Sequence, residues 1–172
     1  MAGYYLYRYL RLIHIYGAII LVGGIIFNTM VLMPSLRRIP PAHSAVIAEK
    51  EGAGLMRLGG TAIVLLGVTG FARAALFHQL GAIFSRQIFV DPHARWVALM
   101  AFAWFILAVT GTLSGVWYST ILTKKLPYSA GLRDLEERRA SQEWVSAWQD
   151  RLAYINLALA LIAALGGIMA SF

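Results

Sequence analysis

The sequence contains no cysteine. That excludes disulfides, thiolate zinc sites, iron–sulfur clusters and haem attached covalently through C-x-x-C-H. It is also poor in charge: 13% of its 172 residues are Asp, Glu, Lys or Arg and 59% are hydrophobic, whereas soluble domains carry about a quarter charged residues. What remains is an integral membrane protein. The long apolar stretches hold no Asp or Glu, which argues against the carboxylate proton relays and sodium sites of coupled transporters. A formal charge of +7 would elsewhere suggest nucleic acid. Here the basic residues crowd the ends of apolar stretches, where they face phospholipid head groups. The expected partner is therefore the lipid bilayer and not nucleic acid.

A helix needs roughly 20 apolar residues to cross a hydrocarbon core of about 30 Å. Four segments qualify, at about 9–34, 57–80, 96–122 and 151–171. The first is too long for the h-region of a secretory signal and is read as a retained helix. The fold expected is all-α: one transmembrane domain over 1–172, an integral membrane four-helix bundle of antiparallel, up-down topology. With four spans, the N-terminus, the 81–95 loop and the C-terminus share one side, with five Lys and Arg, against ten on the side of the 35–56 and 123–150 loops. The excess of positive charge predicts that both termini lie outside.

The 123–150 loop contains "LRDLEERRASQEWVSAWQDRL", in which Leu132, Leu135, Val145, Trp148 and Leu152 recur at mostly helical spacing. This predicts an amphipathic helical segment, either interfacial or an N-terminal extension of the fourth span, with Trp144 and Trp148 at the head-group layer. Small residues mark the expected helix contacts: Gly17, Gly23 and Gly24 in the first span, Gly59, Gly60, Gly67 and Gly70 in the second, Gly111 and Gly115 in the third, Gly166 and Gly167 in the fourth. The G-x-x-x-G of "GTLSG" at 111–115 is expected to serve packing inside one bundle rather than dimerisation.

One residue of "RLIHIYGAIILVGGIIFN" at 11–28 is out of place in hydrocarbon: His14. At 100° per residue, Tyr7, Gly17, Ala18, Leu21, Gly24 and Asn28 fall on its side of the helix. That face must point into the bundle, because an unpaired imidazole and amide in lipid would cost several kcal/mol on the order of other unsatisfied polar groups. An intramembrane ionisable residue is by default a functional candidate. His78, at the end of the antiparallel second span, and His93, just before the third, gather on the same side, with Arg8, Arg11, Arg73 and Arg95 in the same layer. Imidazoles within a pocket and guanidiniums at its mouth suit haem b, with His14 as one axial ligand, His78 or His93 as the other, and the propionates toward the arginines. Copper is the alternative metal, but Met1, Met30, Met33, Met56, Met100 and Met169 are scattered, with no M-x-x-M or M-x-M cluster. A cofactor-free subunit whose histidine only packs is the third reading.

The stretch "LIHIYGAIILVGGIIFNTMVLMPSLRR" resembles the first-helix pattern of the CopD-like and HemJ-like group of four-helix membrane modules. His14, Gly23, Gly24, Phe27 and Pro34 fall on that pattern, and "MRLGGTAIVLLGVTG" resembles the group's second helix, which closes on Thr-Gly. The resemblance covers about the first 80 residues. It implies a bacterial inner-membrane protein, whose termini the Lys and Arg count places on the periplasmic side. In the HemJ-type protoporphyrinogen oxidases the first-helix histidine is implicated in binding haem b or porphyrin, which carries over to His14. The third segment has no counterpart of that family's lysine, and Val22 stands at its tryptophan position. The CopD branch implies copper uptake instead. The function expected is electron transfer or porphyrin-linked redox chemistry, with a redox partner protein, a respiratory assembly or a second copy of the chain as protein partner.

Overall fold

The computed structural model describes residues 2–77, 80–122 and 131–170. The chain is a multi-pass, all-α membrane protein. Helix α1 (Ala2–Ile26) passes through a π-helical turn, Phe27–Leu32, into the short α2 (Met33–Leu36); α3 spans Pro41–Leu76; α4 (Leu80–Ile83) and α5 (Gln87–Val90) form a connecting loop. Helix α6 (Pro92–Trp117) closes in a second π turn, Tyr118–Leu122, and α7 spans Leu132–Met169. Four stretches are long and apolar enough to cross a bilayer: Tyr4–Leu36, Lys50–Leu76, Pro92–Ile121 and Leu132–Met169. Helices satisfy every internal backbone group within one segment, which hydrocarbon requires. Side-chain hydroxyls in the spans follow the same rule: Thr61 donates to Arg57 O at 2.8 Å and Thr112 to Ala108 O at 2.7 Å.

The local signals are ordinary chemistry. Pro92 opens α6 behind Asp91, whose Oδ1 accepts the His93 N–H at 2.9 Å. Asp134 Oδ2 accepts the Gly131 N–H at 3.0 Å at the start of α7. Pro34 lacks the N–H that Met30 O would accept and crowds that carbonyl, and the widened turn lies directly ahead of it.

The four long helices are antiparallel to their neighbours and form a ring in which α1 packs on α3, α3 on α6, α6 on α7 and α7 on α1. Leu21, Ala62, Leu66, Leu107 and Ala160 meet at its centre. Large apolar side chains such as Ile19, Val64 and Phe102 are exposed and make the lipid-facing surface. The seams use some of the expected glycines. A Cβ on Gly17 would lie 3.3 Å from Leu66 Cγ, on Gly67 2.5 Å from Trp104 Cζ2, and on Gly166 2.9 Å from Met100 Cγ. Gly111 and Gly115 face Ile63 and Met56, so their motif packs inside the bundle. Gly23, Gly24, Gly59 and Gly60, by contrast, have no neighbouring atoms within 4 Å and mark no contact.

The amphipathic segment and the fourth span are one continuous helix of 38 residues. Its polar half still packs: Val145 is fully buried, and Trp144 meets Trp117 edge-on with centroids 5.4 Å apart. Arg37 and Asp150 pair at 2.7 Å across the α2/α7 end, an exposed contact worth under about 1 kcal/mol. Deeper in the bundle the Thr110 hydroxyl donates to Asn156 Oδ1 at 2.7 Å and links α6 to α7. Thr110→Val is expected to lower stability by about 1 kcal/mol, the scale of interhelical bonds in membranes. Denaturant titration in detergent micelles checks this, and the double variant with Asn156→Leu should be less than additive.

Candidate functional site

The site lies in the α1/α3 seam, in the half nearer the start of α1. Antiparallel packing sets His14 opposite Thr69 and Gly70, with Gly17 opposite Leu66 one turn deeper. His14 Nδ1 is 2.8 Å from Thr69 Oγ1. Thr69 is itself buried, and its hydroxyl makes a shorter bond, 2.6 Å, to Leu65 O one turn back on its own helix. A hydroxyl has one proton. With that proton engaged by Leu65 O, the 2.8 Å contact is made by a proton on His14 Nδ1, and in the neutral ring the lone pair is then on Nε2. The imidazole is thereby fixed in orientation, the role a partner on the second nitrogen plays for metal-binding histidines. Gly70 lets the ring sit flush against α3, since a Cβ there would be 3.3 Å from His14 Cε1.

One turn beyond Thr69 on the same face of α3 is Arg73. Its Nη2 donates to Tyr7 OH at 3.4 Å, its guanidinium lies 5.3 Å from the centroid of the Tyr7 ring, and Tyr7 in turn meets Phe77 edge-on at 4.9 Å. Arg73 Nε is buried without a hydrogen-bond partner among the described residues. Below the site Trp104 closes the bundle: its Nε1 donates to Ile63 O at 2.9 Å and its ring lies against Gly67 and Phe71.

The other sequence candidates lie elsewhere. Asn28 shares the His14 side of α1 but stands about 21 Å further along it by helix rise, in the π turn, where its neighbour Thr29 is the buried residue. The i→i+5 turn rotates successive side chains away from the α-helical phase. Asn28 therefore does not join the His14 layer.

His93 is exposed in the first turn of α6. The opposed pairs Gly67–Trp104 and His14–Thr69 set it about nine residues, or roughly 13 Å, beyond the level of His14. Helices α1 and α6 share no seam among the described residues. The structure thus does not bring His93 to the level of His14. His78, the remaining candidate, lies outside the described residues. Arg95 faces the connecting loop, with Nε donating to Ile88 O at 3.3 Å and Nη2 to Phe89 O at 3.0 Å, so it does not take part in the layer. Arg8 lies 5.7 Å from the Tyr4 ring centroid, and Arg8 and Arg11 both border an open groove on α1 rather than the seam.

Among the described residues no three His, Asp or Glu side chains gather to hold a metal ion. Met56 and Met100 lie on separate seams, against Gly115 and Gly166. The donor set at His14 fits a single imidazole ligand with an arginine one turn above it. The partner missed from sequence is Thr69. Its signal is its position one turn before Arg73 on the face that carries Ala62 and Leu66, within the Thr-Gly that closes the "VLLGVTG" stretch.

Fold and site together define a four-helix, multi-pass membrane protein with one histidine fixed in an interhelical seam. Comparisons with family models, with curated proteins and with solved structures return no match.

Proposed function

We propose that this protein binds haem b, or a porphyrin on its way to or from haem, through Nε2 of His14, and serves electron transfer or porphyrin-linked redox chemistry in a bacterial inner membrane. The observation that carries this reading is the Thr69 bond, which engages Nδ1 of a membrane-embedded imidazole and so assigns Nε2 as the ligating nitrogen. Haem so bound supplies reversible one-electron chemistry. The chain's own contribution is to fix the imidazole, to keep water out with the Leu66 and Trp104 packing below it, and to offer the Arg73 guanidinium to a carboxylate. Both termini are assigned to the periplasmic side from the Lys and Arg asymmetry. The protein partner this role calls for is a redox protein or a second copy of the chain.

The test is the absorption spectrum and metal content of the full chain purified from membranes in mild detergent. A Soret band with iron in near-stoichiometric amount is the expected result. Copper without haem would replace this reading with copper handling, and neither would leave His14 and Thr69 as a packing device. Thr69→Val removes the acceptor of Nδ1–H while keeping the side chain's shape. It is expected to weaken cofactor retention roughly 10- to 100-fold, as for other losses of a metal ligand's orienting partner, measured by haem transfer to an apoprotein acceptor.

A further inference from the structure

A second site lies above the histidine on the other flank of α1. Thr29 Oγ1 donates to Ala153 O of α7 at 3.5 Å, which identifies the flank of α1 that faces α7. Within α1 itself, at 100° per residue, Arg11 lies about 60° and Arg8 about 120° around the helix from His14, away from the α3 seam. Helix α7 runs antiparallel from that contact and ends at Met169, opposite about residue 13 of α1. Beyond that level, among the described residues, an open groove of about 490 Å³ is lined by Tyr4, Tyr7, Arg8, Arg11, Leu12 and Ile15.

The groove is graded in polarity. Arg8, Arg11 and the Tyr4 and Tyr7 hydroxyls lie toward the end of the bundle, and Leu12 and Ile15 lie deeper. From Arg8 to Ile15 is about 10 Å of helix rise. Among the described residues its cations have no protein counter-ion. The ion pairs of the described residues, Arg37–Asp150, Arg133–Glu137 and Arg139–Glu143, are all at the opposite end of the bundle. The one acidic residue on this side, Asp91, caps α6. Tyr7 further joins the groove to Arg73, adding a third guanidinium behind its wall.

A solute anion would satisfy the arginines but leave Leu12 and Ile15 facing nothing chemically matched. A lipid satisfies both ends, and the surrounding bilayer supplies it. We propose that the groove binds an anionic glycerophospholipid, with its phosphodiester between Arg8 and Arg11 and an acyl chain descending past Leu12 and Ile15. Guanidinium forks match phosphate oxygens, and tyrosine hydroxyls add donors. The site does not use His14, so it stands apart from the cofactor reading.

The test is native mass spectrometry of the full chain in detergent, with phosphatidylglycerol, phosphatidylcholine and inorganic phosphate offered separately. The wild-type chain should retain phosphatidylglycerol roughly tenfold better than phosphatidylcholine, on the scale of two arginines meeting an added negative charge. Arg8→Gln with Arg11→Gln should abolish that preference, while Arg86→Gln, outside the groove on the same side, should keep it. His14→Ala should keep it as well, whatever happens to the cofactor. Circular dichroism confirms that the variants remain helical. Equal retention of the two lipids, an undiminished preference in the double variant, or a loss in Arg86→Gln as large as in the double variant would overturn the proposal. Capture of inorganic phosphate that displaces phosphatidylglycerol would reassign the groove to a free anion.

Discussion

His14→Ala is expected to reduce the Soret absorbance per mole of purified protein more than roughly tenfold, since even loss of a ligand's hydrogen-bonding partner costs 10- to 100-fold. The fold should survive. Thr69 keeps its 2.6 Å bond to Leu65 O when the imidazole is gone, so no buried hydroxyl is orphaned, and the lost interhelical bond is worth about 1 kcal/mol. His14→Gln separates the two roles of the residue. Its amide can still donate to Thr69 Oγ1 but is a poor iron ligand, so it should restore thermal stability and not the spectrum. A spectrum unchanged in both variants would remove His14 from the cofactor site.

The second large effect is expected at Gly67. Its position leaves no room for a methyl group, because a Cβ would approach Trp104 Cζ2 to 2.5 Å. The indole cannot easily yield: Nε1 is held by Ile63 O at 2.9 Å and the ring by Phe71, with centroids 5.7 Å apart. Gly67→Ala should therefore cost about 2 kcal/mol by overpacking, and Gly67→Val more, as the indole bond is lost with it. Unfolding in a denaturing detergent titration measures both. Trp104→Phe in the Gly67→Ala background should recover part of the loss, since the smaller ring ends short of the clash. Gly166→Ala is the internal comparison. Its Cβ meets Met100 Cγ at 2.9 Å, and a methionine chain can swing aside, so the cost should be smaller. Equal costs at the two glycines would mean that the indole is not the rigid element of the α3/α6 seam.

The sequence by itself determined the solvent, the class and the need. Four apolar runs of adequate length permit only helices in hydrocarbon, alternating crossings make neighbours antiparallel, and an imidazole in such a run must face protein. It also determined which residues share a face with His14, because 100° per residue is a property of one helix. It did not determine depth between helices. His14, His93 and Arg95 count as one layer when each is placed only relative to its own span's end, but the actual helix register separates His93 from His14 and turns Arg95 onto the loop carbonyls. The 100° rule puts Asn28 on the His14 side of α1, but at the π turn ahead of Pro34 the buried residue is Thr29, which faces α7.

Tertiary structure alone decided the rest, for one reason. Periodicity fixes angle and rise within a helix, whereas axial register and mutual rotation between helices come from which bumps fit which hollows. The fit of Leu66 against Gly17 and of Trp104 against Gly67 sets Thr69 under the imidazole, and with it the tautomer of His14. The same packing places Arg8 and Arg11 on an open groove along α1 instead of in the His14 seam.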